Sequence, residues 1–161
     1  MIVSKPFKII VMISLLFLLA CARHVPEANY RPENAKFNLL IAASASDFKD
    51  GVRDRIVDRY KERGNIDVTD ISGLKNVSCG NYDAILVMDT CKAWTWFNFS
   101  LKSFLKRSKN CHNVVLYLTA GDPEWTYQYE NLDAVTSASV VENEDAIANQ
   151  LSLRLDRIIN G

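Results

Sequence analysis

The three tryptophans of the chain fall in two short stretches, Trp94 and Trp96 in one and Trp125 in the other. Phe97, Phe99, Tyr127 and Tyr129 stand beside them. Such rings offer apolar faces with polar edges, which suits a planar ligand or a protein partner. Their plainer use is to cover the end of a sheet. Hydroxyls and a glycine accompany them: Ser44 and Ser46 after one apolar run, Thr90 after a second, Thr119 and Gly121 after a third. The phrase Ser44-Ala45-Ser46-Asp47 could hold an anion, since backbone N–H groups at the start of a helix point outward there. Asp47 and Asp50 would repel that anion, and carboxylates in a first turn are ordinary capping. The candidate ligand-binding set is therefore Ser44, Ser46, Thr90, Trp94, Trp96, Thr119, Gly121 and Trp125.

Other chemistries lack their residues. Neither G-x-G-x-x-G nor G-x-x-x-x-G-K-[ST] occurs, so nucleotide phosphates have no cradle of those kinds. There is no G-x-S-x-G elbow, and the only imidazoles are His24 and His112. No C-x-x-C or H-E-x-x-H is present, so no metal site is expected. Asp122 and Glu124 flank Pro123 in what reads as a solvated turn. No catalytic residue is assigned. With 19 basic and 19 acidic side chains the formal net charge is zero. That removes the basic face a nucleic-acid binder needs.

The amino-terminal segment reads as an address. Lys5 and Lys8 precede residues 9–20, in which only Ser14 is polar. Twelve residues cannot span a hydrocarbon core, which takes about 20, but they suit the apolar region of a secretory signal. The ending Leu18-Leu19-Ala20-Cys21 resembles the lipobox of bacterial lipoproteins. That resemblance implies a signal peptide over 1–20, diacylglyceryl transfer to the Cys21 thiol, cleavage before Cys21, and palmitate-like acylation of the new amino terminus. Ala22 is not the aspartate that often retains lipoproteins in the inner membrane, so the resemblance points to the outer membrane, facing the periplasm. Cleavage would remove Lys5 and Lys8 and tip the balance two charges acidic. Residues 21–36, with Pro26 and Pro32 and no apolar period, read as a flexible tether. Residues 37–161 are then one domain.

The elements that must position the candidate residues alternate. Residues 37–43 (FNLLIAA), 82–88 (YDAILVM) and 114–118 (VVLYL) are continuous apolar runs, as strands covered on both faces are. Ile66, Val68 and Ile71 alternate with polar residues, which predicts an edge strand, and 134–141 is a weaker strand. Ser46 caps a helix with Phe48, Val52, Ile56 and Tyr60 on one face, stopped by Gly64. Asn98 or Ser100 caps a second helix, turning Leu101, Phe104 and Leu105 inward. Asn143 caps a third, with Ile147, Leu151, Leu155 and Ile158 on one face. Strands alternating with helices predict an α/β fold with a parallel sheet, right-handed crossovers and helices on both sides.

Three phrases sharpen this: Tyr82-Asp83-Ala84-Ile85-Leu86-Val87, Leu101-Lys102-Ser103-Phe104-Leu105, and 114–118 followed by Thr119-Ala120-Gly121. Together they resemble the middle of a flavodoxin-type domain across 37–161. The resemblance implies a three-layer, doubly wound, five-stranded parallel sheet of order 2-1-3-4-5. Residues 122–133 are too few for a full fourth helix, so that helix is expected to be shortened or missing. In such sheets the ligand crevice lies beyond the carboxyl ends of the strands. That rule gathers 44–47, 89–98 and 119–129. In flavodoxins these loops wrap FMN, with hydroxyls and glycine on its phosphate and aromatics beside its ring. Here the aromatic side is well supplied, but the family's glycine and threonines are missing from 44–47. FMN is possible but not favoured.

A phospho-receiver domain shares the topology, and Asp89 and Thr119 stand at suitable strand ends. No acidic pair directly follows the first strand, and 135–141 has no lysine, so that reading is set aside. The same strand order makes the third and fourth strands parallel neighbours. Cys79 and Cys111 just precede them, close enough for a disulfide, and export to an oxidising compartment would permit one. Cys91 is left over beside Lys92. It is either a small packing residue or a thiol whose pKa Lys92 lowers. The expectation is a lipid-anchored envelope protein whose flavodoxin-like domain is a non-catalytic module binding a small ligand or envelope protein through the Trp-rich crevice. The alternative is an FMN-binding electron-transfer or reductase protein of the periplasm.

Overall fold

Aliphatic runs in the chain become strands that pair side by side. The computed structural model describes residues 23–91, 98–120 and 133–161. Its strands are β1 (Ala28–Tyr30), β2 (Asn38–Ala43), β3 (Asn65–Asp70), β4 (Ala84–Thr90), β5 (Val114–Ala120) and β6 (Asp133–Ala138). They form one sheet in the order β1-β3-β2-β4-β5-β6. β3, β2, β4, β5 and β6 are all parallel, with Ile41 opposite Val68 on one side and Leu86 on the other. Counted without β1, this is the doubly wound, flavodoxin-like order 2-1-3-4-5, as expected.

Strand alternation sorts the core into two layers. Leu39, Ile41, Ala43, Leu86, Met88, Val115, Tyr117 and Val135 pack under α1 (Asp47–Tyr60) and α3 (Glu144–Asn160). Leu40, Ala42, Ile85, Val87, Val114, Leu116 and Leu118 pack under α2 (Phe99–Arg107) and a 3-10 segment, Ile71–Asn76. Both faces of β2, β4 and β5 are thus covered, which is why their sequences are unbroken apolar runs.

The helix starts follow local chemistry. Ser46 Oγ accepts from Lys49 N at 3.2 Å to cap α1, and Asn98 Oδ1 accepts from Ser100 N at 2.9 Å to cap α2. Asn143 makes no side-chain cap at α3; the 3-10 turn Val141–Asn143 leads into that helix instead. Gly64 ends the α1 region for a different reason than a left-handed turn. A Cβ there would lie 2.1 Å from Cε2 of the buried Phe37 ring. Phe37 itself meets Tyr60 edge to face, with ring centroids 5.8 Å apart.

Several expectations need correction. The sheet has six strands, because Ala28–Tyr30 adds antiparallel to β3. Residues 21–36 are therefore not simply a tether: Val25 is 3% exposed in the core, and β1 lies within this span. β3 is consequently not an edge strand, and it ends at Asp70, with Ile71 starting the 3-10 segment. The chain between β3 and β4 runs through Ile71–Asn76 and a second 3-10 turn, Cys79–Asn81, with no α-helix. The last strand stops at Ala138, leaving Val140 and Val141 exposed. The expected shortening of the fourth helix concerns residues outside those described.

Cys79 and Cys111 are joined in a disulfide with Cα atoms 6.4 Å apart. Asn113 Nδ2 donates to the Cys79 and Tyr82 carbonyls at 2.9 and 2.7 Å, fastening the same corner. This corner is at the amino end of the strands, away from the expected crevice.

Candidate functional site

β2, β4 and β5 end together, and polar residues take over where the apolar runs stop. Ser44 N donates to Met88 O at 2.9 Å, so Ser44 stands beside Asp89. By alternation both side chains belong to the α2 face. Asp89 is only 4% exposed, and among the described residues neither its Oδ2 nor Ser44 Oγ has a hydrogen-bond partner. Buried polar atoms are almost always paired, so two adjacent orphans are unusual.

The α1 face of the same end carries a second polar group. Lys49, 1% exposed, donates from Nζ to Thr90 Oγ1 at 2.7 Å. Thr119 Oγ1 donates to Thr90 Oγ1 at 3.1 Å, and Thr90 and Thr119 are register partners on β4 and β5. Cys91 N then donates to Thr119 O at 2.8 Å and holds the chain as it leaves β4. Burial, and then the Asp89 charge, push the Cys91 thiol pKa up. This runs against a thiol activated by Lys92, which itself lies outside the described residues.

The start of α1 is occupied by the protein's own charges. Arg23 reaches Asp47 in an exposed ion pair and Asp50 at 2.9 Å, and Arg53 meets Asp50 at 2.7 Å. The Asp47 and Asp50 carboxylates raise the Arg23 pKa, the hydrogen bond to Asp47 most of all. Ser46 Oγ serves as the cap, and 44–47 contains no glycine. These residues do not fit the phosphate of FMN: its place at the helix start is taken by the Asp47 and Asp50 carboxylates, and 44–47 has no glycine to bring the backbone close.

Of the candidate residues, the structure brings Ser44, Thr90 and Thr119 to one sheet end and puts Ser46 in the helix cap next to it. Trp94, Trp96, Gly121 and Trp125, and the lipidation candidate Cys21, lie outside the described residues. Lys49 was missed, although its spacing held a signal. It stands three and seven residues before Val52 and Ile56 and so shares their inward stripe. Arg23 had no signal, because its partners are 24 and 27 residues away.

A separate groove of about 490 Å³ runs between α1 and α3, lined by Arg55, Arg59, Asp145, Asn149 and Ser152. Its arginines are engaged by Glu144, Asp145 and Asp156. Among the described residues no group of His, Cys, Asp and Glu could hold a metal ion. Nor, among them, is any helix long and apolar enough to cross a membrane.

No protein-family model and no curated protein matches the chain. Solved structures do resemble it. Oxidised flavodoxin 1 from Bacillus cereus is 16% identical with a TM-score of 0.45, over 74% of this chain and 97% of its own. The response regulator domain of Thermotoga maritima CheB is 13% identical with a TM-score of 0.49, over 77% and 96%. The Streptococcus pneumonia TIGR4 flavodoxin is 11% identical with a TM-score of 0.45, over 73% and 98%. The strand order and the parallel register define the fold without them.

Proposed function

We propose that this chain is a bacterial lipoprotein, anchored through Cys21 in the cell envelope and facing the periplasm from the outer membrane. Its flavodoxin-like domain is a non-catalytic module that binds a ligand or envelope partner at the carboxyl end of the sheet. One observation carries the binding site: Asp89 and Ser44 keep buried oxygens, unpaired among the described residues, side by side at the switch point where doubly wound sheets bind ligands. A hydrogen-bond donor delivered by a ligand would complete them. The lipobox-like Leu18-Leu19-Ala20-Cys21 supports the anchor, and the Cys79–Cys111 disulfide accords with an oxidising compartment. FMN remains the alternative ligand on the strength of the aromatic stretches alone, against the carboxylates at the start of α1.

Two measurements test this. Cells grown with labelled palmitate should label the protein, and Cys21→Ser should abolish the label; equal labelling of the variant would sink the anchor. Purified protein should be colourless, and FMN should leave its tryptophan fluorescence unchanged. A yellow preparation, or quenching that saturates with FMN, would replace the proposed module with the flavin protein.

A further inference from the structure

The chain enters the domain at one particular end of the sheet. β1 runs antiparallel to β3, with Ala28 opposite Val68 and Tyr30 opposite Ile66. Residues before Ala28 therefore emerge where β3 finishes, at the carboxyl end. Three contacts hold them there. Val25 is buried, and its N–H donates to Asp70 Oδ2 at 3.3 Å. His24 Nδ1 lies 3.6 Å from the same carboxylate. Arg23 bridges to Asp47 and Asp50 in the first turn of α1.

Only Ala22 separates Arg23 from Cys21. Two residues of fully extended chain span at most about 7 Å, so a lipid carried on the Cys21 thiol would be tied within that backbone reach of Arg23. A free tether across 21–36 would have let the domain tumble; with Val25 and β1 built into the fold, that freedom is gone. Phe99, the first residue of α2 and so at the same end, is 84% exposed, an apolar ring suited to a headgroup boundary. Arg23 is committed to Asp47 and Asp50, so the short connection and this ring, rather than positive charge, direct the face.

We infer that the partner of the carboxyl end of the sheet is the headgroup layer of the phospholipid membrane that holds Cys21. The site at Ser44, Asp89, Thr90 and Thr119 then opens toward the bilayer, and what reaches it arrives along the membrane surface. This rests on the lipid anchor proposed above. The disulfide corner, at the amino end, points away from the membrane by about the length of a strand, roughly 20 Å.

The acylated full-length mature protein, purified from membranes and placed in phospholipid nanodiscs carrying a spin-labelled headgroup, tests it by NMR. Amide signals of Ala45, Asp47 and Ser100 should be lost, and those of Gly80, Asn113 and Gly161 retained. Inserting a Gly-Ser segment of about ten residues between Ala22 and Arg23 should even out the difference. Acylated protein with uniform or reversed broadening overturns the orientation alone. So does an insertion that leaves the gradient intact, since the short connection would then not set it. Mass spectrometry showing no acyl mass on Cys21 overturns the anchor, and the orientation with it.

Discussion

The Lys49 ammonium reaches Thr90 Oγ1 at 2.7 Å in a setting almost closed to water. Removing that acceptor deprives a buried cation of a partner, which typically costs about 1–3 kcal/mol. Thr90→Val should therefore lower the urea midpoint clearly, while Thr90→Ser, which keeps the oxygen, should restore most of it. Equal midpoints for Thr90→Val and the parent would mean that the contact adds nothing.

Gly64 and Gly80 should respond oppositely to a methyl group. Alanine at 64 would push into the Phe37 ring, and overpacking of that kind costs about 1–3 kcal/mol. Nothing lies within 4 Å of a Cβ at 80, so Gly80→Ala should stay within about 0.5 kcal/mol of the parent. Thermal unfolding of the two variants side by side reads the contrast.

The Cys79–Cys111 bridge spans 32 residues of sequence. Closing a loop of that size stabilises by about 3.7 kcal/mol in the chain-entropy account. The double variant Cys79→Ala/Cys111→Ala should fold but melt several degrees lower. Peptide mapping without reductant should recover the linked pair, and two free thiols there would contradict the structure.

Tyr60 sets an alkaline limit. Burial first, then its hydrogen bond to Asp156, push its pKa up to about 12. A phenol that holds its proton more tightly when folded contributes stability fully below its ordinary pKa near 10. That contribution fades as pH rises from there through the folded value. Tyr60→Phe should flatten this part of the stability profile between pH 10 and 12, as followed by circular dichroism.

Asp70 sets an acid one. Burial opposes its ionisation, but hydrogen bonds from Ser72 and from the Val25 N–H outweigh it and hold its pKa below the ordinary carboxylate value. Its contribution is present above that ordinary value and is lost as pH falls through the folded one. Asp70→Asn should remove this acid-dependent component, and hydrogen exchange at Val25 should quicken.

Much of the sheet could be read in advance because β2, β4 and β5 are covered on both faces and so have no polar interruptions. β1 could not. Ala28–Tyr30 is too short to show a period and sits between Pro26 and Pro32. It becomes a strand only because the edge of β3 offers unpaired groups. The 3-10 segment Ile71–Asn76 was equally hidden, since Gly73 and Asn76 break any helical pattern while Leu74 still buries itself. At the site, Ser44, Thr90 and Thr119 followed from strand ends. Lys49 did not, because residue type argues for the surface while helical register argues for the core, and here register wins.

β1 also has a mechanical meaning. Any pull on the chain ahead of Arg23 reaches the sheet first through surface ion pairs, the Val25 contact and three residues of antiparallel pairing, before β2 in the middle of the sheet feels it. Exposed ion pairs and a three-residue ladder yield at far lower force than a central strand bonded on both sides. Under load the peptide ahead of β2 would peel away and lengthen while the five-stranded core stayed whole, so the domain carries its own shock absorber on the side where the chain arrives.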